Sequence, residues 1–209
     1  MRQIARRSDI RDLILDAVDI LLARYGYGKM TMEDVARQVG IGKGTIYLHF
    51  PSKEELVLSH IDRIAEAVVR NLREQAASPD GIDRRLRRML VLRVMIRFDS
   101  VAHYTQYLGG LLSSIRASLL ARRQVYFDRE QAVLEDVLRE GARTGALDCP
   151  DPRTAAHVLV LSTNSLLPFN LSPGELGRRE EVEEQVNRVA DLLVKGLLLC
   201  PTRPASWTR

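Results

Sequence analysis

The stretch from Thr31 to Glu55, TMEDVARQVGIGKGTIYLHFPSKEE, constrains this chain more than any other segment. Its apolar spacing asks for two short helices, with Val35, Ala36 and Val39 on one, Ile46 on the other, and Gly40 and Ile41 between them. Ala36 is small where two helix backbones must approach, and Gly40 lacks the Cβ that opposes a left-handed turn. Residues in that order read as a helix-turn-helix, a unit that lays its second helix in a DNA groove.

Hydrogen-bonding residues set the limits of each helix. Thr31 is placed to accept from the exposed amides of a first turn, with Asp34 as a capping-box-like partner, so the first helix of the motif is expected at about Met32 to Val39. The second opens at Gly42 or Lys43 and must end by Phe50, because Pro51 cannot continue the ladder and biases its predecessor towards extended backbone. Roughly two turns remain for recognition. Ser52 then caps a long helix, with Glu55 expected to complete a full capping box. Gly42 and Gly44 oppose the short helix by propensity, each by about 1 kcal/mol relative to alanine. The compensating gain is expected outside the chain: a backbone without side chains can lie close to phosphates or base edges, its first amides aimed at anionic oxygens.

The segment GIGKGTIYLHFPSKEEL resembles the signature of the tetracycline-repressor (TetR/AcrR) family, with its Lys-Gly-Thr, aliphatic residue, Tyr, His-Phe and Ser-Lys-Glu. The resemblance covers about residues 10 to 56; beyond it the chain is similar to that family only in length and helical layout. Gly42 stands where the family often has serine and Leu48 where an aromatic or polar residue is frequent, so base preference does not carry over. Lys43 is expected at a base or nearby phosphate, Thr45 and Tyr47 at groove-facing contacts, and His49 and Lys53 at backbone phosphates. Gly44 belongs to the close backbone approach, and Thr31 adds a phosphate contact from the preceding helix.

With 209 residues, 45% of them apolar, the chain can fill a helical core and carry one small and one medium domain. The expected division is residues 1–55, a three-helix DNA-binding domain with a basic N-terminal arm, and residues 56–209, a helical domain for ligand binding and dimerisation. No apolar run nears the ~20 residues that span a bilayer, and no signal-peptide core is present, so a cytoplasmic location without membrane contact is expected. Cys149 and Cys200 lack metal-ligand spacing and read as reduced bystanders; no metal or cofactor is called for. The net charge is only +4, but its placement says more. Arg2, Arg6, Arg7 and Arg11 form the arm against Asp9, and from Val35 to Lys53 the cations Arg37, Lys43 and Lys53 meet no acid. Positive charge gathers where DNA would lie.

Elsewhere the pattern is helical, with no alternating strand of useful length: an all-α fold. Helices are expected from about Asp9 to Tyr25, from Ser52 through Leu72, after the SPDG turn at 78–81, from about Ser114 to Thr144, from near Arg153 to Leu167, and from about Glu180 to Leu199. Arg84, Arg85, Arg87 and Arg88 read as a solvated face. Arg93 and Arg97 share a helical face among apolar residues and read as partners of a buried carboxylate, the alternative being the lining of a pocket for an acidic ligand. Space between bundled helices takes small molecules, and the pocket candidates are Arg93, Ile96, Arg97, His103, Tyr104, Tyr107, Tyr126, Phe127 and Asn164.

The last two helices each carry an apolar or small-residue face. The resemblance implies that they pair with a second copy as a four-helix bundle. The sequence therefore reads as a homodimeric transcriptional regulator, a repressor released from a palindromic double-stranded operator by a small-molecule effector, with recognition helices about 34–36 Å apart. The alternatives are a DNA-binding scaffold without an effector and a helical enzyme with His103 or His157 as base; no nucleophile turn, carboxylate pair or histidine pair of ligand spacing supports the enzyme, and no catalytic residue is assigned. A hollow of several hundred Å³ in the C-terminal core would favour the effector, a filled core the scaffold.

Overall fold

Helices account for nearly all of the backbone in the computed structural model, which describes residues 7–170 and 176–198. In chain order they are α1 (Arg7–Lys29), α2 (Met32–Val39), α3 (Lys43–His49), α4 (Lys53–Ala76), α5 (Ile82–Val101), α6 (Thr105–Thr144), α7 (Pro152–Asn164) and α8 (Arg179–Leu197). Short 3-10 turns lie at Ala102–Tyr104 and Pro168–Asn170. The fold is all-α; the one departure among the described residues is an isolated bridge between Leu147 and Leu198.

Caps and turns form the head. Thr31 Oγ1 accepts from the Asp34 amide at 3.1 Å, and the Asp34 carboxylate accepts from the Thr31 amide at 3.0 Å, a reciprocal box that starts α2. Gly40 ends it in the left-handed region at φ 78, with its N–H and that of Ile41 both donating to the Ala36 carbonyl. At α4 the expected full box is only half formed. Ser52 Oγ accepts from the Glu55 amide, but the Glu55 carboxylate turns to Arg122 at 2.6 Å instead of to its own helix. Ile14, Val18, Leu21 and Leu22 of α1 are buried with Val35, Ala36, Ile46 and Phe50, each large side chain contributing about 1.5–3 kcal/mol.

α1 runs past the expected Tyr25 to Lys29, with a break at Gly26 (φ 68, ψ 170). The ring of Tyr107 from α6 fills the notch: a Cβ at residue 26 would lie 2.7 Å from it. α6 begins at Thr105, well before the expected Ser114, because Leu108, Leu111 and Ile115 are buried and hold its first turns despite Gly109 and Gly110. Its 40 residues make a rod of about 60 Å, ended by Gly145 at φ 72.

The expected boundary at residues 55 and 56 falls inside the first turn of α4, and one buried cluster crosses it, joining Ile46 and Phe50 of the head to Leu56, Phe98, Val101, Tyr104 and Leu108 of the body. A second cluster, including Leu72, Leu86, Leu90, Leu134, Leu138 and Leu159, fills the far end. The arginine face of α5 is less solvated than the sequence suggests. Arg85 is buried and grips Glu140 through both terminal nitrogens at 2.9 and 2.8 Å, while Arg87 pairs with Asp191 and Arg88 with Asp80. Among the described residues no helix is long and apolar enough to cross a membrane. Cys149 is buried, which together with Asp151 and Asp148 pushes its thiol pKa up; Cys200 lies outside the described residues.

Candidate nucleic-acid interface

Ile46 is the buried residue of α3, anchoring the helix with Phe50 just past its end. This single anchor leaves a wide outward face. Lys43 and Gly44 are exposed there, Tyr47 is 47% and Leu48 79% exposed, and Thr45 and His49 flank them half-buried. Lys43 has no carboxylate partner among the described residues. Gly44 has an ordinary backbone conformation and nothing within 4 Å of where a Cβ would sit. The fold itself therefore has no need of glycine at residue 44, although the helix is weakened by it.

Other expected contacts are already committed within the chain. Lys53 Nζ donates to the Tyr27 carbonyl at 2.9 Å and the Met30 carbonyl at 3.2 Å, and lies 4.3 Å from the centre of the Tyr27 ring. It closes the end of α1. The Thr31 hydroxyl also donates to Asp34 at 2.6 Å, so it serves the cap of α2. Arg37 faces Asp34 at 3.4 Å. Of the basic arm, Arg11 stacks 4.5 Å over the Phe50 ring and donates to Ser59 Oγ; the side chains of Arg2, Arg6 and Arg7 lie outside the described residues. The uses of Lys53 and Arg11 were hidden because their partners are remote in sequence, whereas Thr31 and Arg37 both meet Asp34, three residues away.

The family profile described as bacterial regulatory proteins, tetR family, matches residues 14–59, which span α1 to the first turns of α4. The chain is 30% identical over 138 residues to the nucleoid occlusion factor SlmA of Vibrio atlanticus, covering 65% of this chain and 69% of that one. It is 26% identical over 157 residues to the HTH-type transcriptional regulator YhgD of Bacillus subtilis, covering 73% and 79%. The chain belongs to the tetR family of bacterial regulatory proteins. A TetR transcription regulator from Haloarcula marismortui superposes with a TM-score of 0.73 over 92% of this chain and 100% of that one; at 16% identity this likeness concerns the fold.

In this tetR-family body, a partly open hollow of about 30 Å³ lies between α4, α5, α6 and the turn after α7. Of the nine pocket candidates, Arg97, Tyr126 and Phe127 line it. The other six candidates lie elsewhere. Arg93 is fully buried behind it, with Nε 2.6 Å from Glu130 and its terminal nitrogens on Thr163 and Asn164, which accounts for Asn164 as well. Ile96 packs into the far apolar cluster. His103 is drawn to the surface by Asp19 at 2.8 Å, Tyr104 is sealed in the core near His60, and Tyr107 fills the notch at Gly26. Sequence reasoning missed Ile61, Ile64, Leu119, Arg123, Leu167 and Phe169, which with Ala65 and Asn170 complete the lining. Leu167 and Phe169 flank Pro168 immediately after α7, and that pair of apolar residues around a helix-ending proline was the available signal.

α6 joins this hollow to the head. Ser118, Arg122 and Tyr126 on one of its faces donate to carboxylates of α4: Ser118 to Glu54, Arg122 to Glu55 at 2.6 Å and Asp62 at 2.7 Å, and the Tyr126 hydroxyl to Asp62. Leu119, Arg123 and Phe127, each one residue further on, line the hollow. The carboxylates so held begin one turn beyond α3. Among the described residues no group of three or more His, Cys, Asp or Glu side chains is arranged to hold a metal ion.

Proposed function

We propose that this transcriptional regulator binds a palindromic DNA operator as a homodimer in the cytoplasm and represses until a small-molecule effector releases it. The observation that carries the DNA-binding half is Gly44. Its presence weakens α3 and nothing among the described residues requires it, so its use lies with a partner that presses against the helix backbone. Lys43 and Tyr47 then make the principal groove contacts, with Thr45 and His49 beside them. Thr31 and Lys53 hold α2 and the end of α1 in place and so aim α3.

Dimer formation is supported by the unpartnered apolar side chains of the last two helices: Leu161 is 59% exposed, Leu192 74%, and Val158 lies one turn from Leu161. A C2 pairing of these faces presents two α3 helices to one side of a duplex. Effector release is supported by the ladder from Ser118 to Tyr126, through which movement of α6 around the hollow reaches the first turns of α4.

A gel-shift titration with DNA from upstream of the protein's own gene tests the DNA contacts. Lys43→Ala and Tyr47→Ala are each expected to weaken binding at least tenfold; unchanged affinity in both would defeat the assignment. Leu161→Asp with Leu192→Asp should give monomers in sedimentation analysis. The second reading, a DNA-bound scaffold without an effector, is favoured by the small volume of the hollow, about 30 Å³. SlmA, named a nucleoid occlusion factor, is one relative that suits that reading.

A further inference from the structure

Two guanidiniums and a single carboxylate sit together beside the hollow. Arg93, Arg97 and Glu130 are all buried, and Glu130 accepts from both arginines. The remaining donors of Arg93 go to Thr163 and Asn164, and a terminal nitrogen of Arg97 donates to the Arg93 carbonyl at 2.8 Å, all of these being uncharged acceptors. Among the described residues one positive charge of this cluster is thus left without a carboxylate, a costly arrangement unless something neutralises it. Desolvation lowers the Arg93 pKa to about 10 despite Glu130, which leaves it charged at neutral pH.

The excess charge faces the hollow. Arg97 lines it, and the hydrogen bonds of Arg97 use its terminal nitrogens, leaving the Nε–H without a partner among the described residues. Arg123 of α6 also lines it, 5.7 Å from the Phe127 ring centre, and has no carboxylate partner among the described residues. The other lining groups are aliphatic or aromatic apart from Asn170, and no carboxylate is among them. The Tyr126 hydroxyl is turned away to Asp62. A second hollow of about 60 Å³ adjoins the first, sharing Leu119, Arg123 and Phe169 and extending past Arg116.

We propose that this hollow receives a small apolar molecule bearing one carboxylate, the carboxylate meeting Arg97 and the apolar body running over Phe127 and Leu119 towards Arg123. The inference rests on the effector reading above and names its chemistry. The hollow, about 30 Å³, is far smaller than such a ligand, so the ligand enters by displacing side chains around it, among them Phe169, which lines both hollows. An ammonium of the same length meets like charge and is refused. An alcohol of the same length fills the space without neutralising Arg97.

The full-length protein is titrated by calorimetry with decanoate, decan-1-ol and decylamine, each below its micelle concentration. Decanoate is expected to bind at least tenfold more tightly than decanol, and decylamine not to bind. Arg97→Met leaves Arg93 and Glu130 as a neutral pair, and in this variant the preference for decanoate over decanol is expected to vanish while decanol binding is kept. A wild-type protein that binds decanoate no more tightly than decanol, or binds none of the three, overturns the inference, whether or not the variant folds. A preference retained in folded Arg97→Met overturns it too. Gel shift without any ligand reads the regulator proposal separately: DNA binding with no carboxylate preference leaves that proposal standing and removes this one.

Discussion

The Lys53 ammonium, at the first residue of α4, donates to the Tyr27 carbonyl near the end of α1 at 2.9 Å. A cation that sequence spacing aims at DNA is therefore used to join two helices of the head. Lys53→Ala should lower the melting temperature, since hydrogen bonds from charged groups contribute about 1.5–3 kcal/mol. The salt dependence of DNA binding separates this role from a phosphate contact. Lys43→Ala is expected to reduce the slope by about one unit with little change in melting, and Lys53→Ala to leave the slope as it is.

Gly44→Ala is expected to have opposite effects on stability and binding. A Cβ at this position meets nothing within 4 Å, so alanine should stabilise the isolated protein by up to about 1 kcal/mol. Operator affinity should fall because the new methyl group projects from the outward face of α3. Denaturant unfolding and gel shift on the same sample check both halves, and an alanine variant that binds DNA as well as wild type would contradict the close approach.

The buried charge cluster predicts an asymmetry between its members. Glu130→Gln leaves two buried guanidiniums without an anion and should destabilise by about 3–5 kcal/mol, read by urea unfolding. Arg97→Met removes the uncompensated charge and should unfold near the wild-type midpoint.

Stability should also fall with acid through His60. Burial holds its pKa down at about 4 against an ordinary 6.5, opposed by Asp19, with Arg63 and His103 adding to the depression and Asp16 opposing it. The unfolded chain therefore binds a proton that the folded chain refuses between these two values. The contribution is complete above pH 6.5 and is lost progressively as pH falls towards 4. Thermal melts across this range should show a smaller loss in His60→Gln than in wild type.

What the sequence revealed was governed by neighbours along the chain. The cap at Thr31, the turns at Gly40 and Gly145, the stop before Pro51 and the outward placement of Lys43 and Tyr47 depend on residues a few positions apart. Glu55 and Arg85 were misread because a long polar side chain takes its role from whatever helix the fold brings alongside it, here α6. The buried carboxylate expected for Arg93 and Arg97 exists as Glu130, though composition alone did not reveal that one acid serves both. His103 looked like a pocket residue beside two tyrosines until Asp19, from the head, drew it outward.

The notch at Gly26 acts as a key between head and body. Because the Tyr107 ring occupies the place of the missing side chain, α1 can seat against α6 in one orientation, and any larger residue at 26 must push the ring or the helix aside. Either adjustment tilts the head on its support. In a paired assembly that tilt would act twice with opposite sense, so a single methyl group far from the nucleic acid would change the span that the two heads can reach.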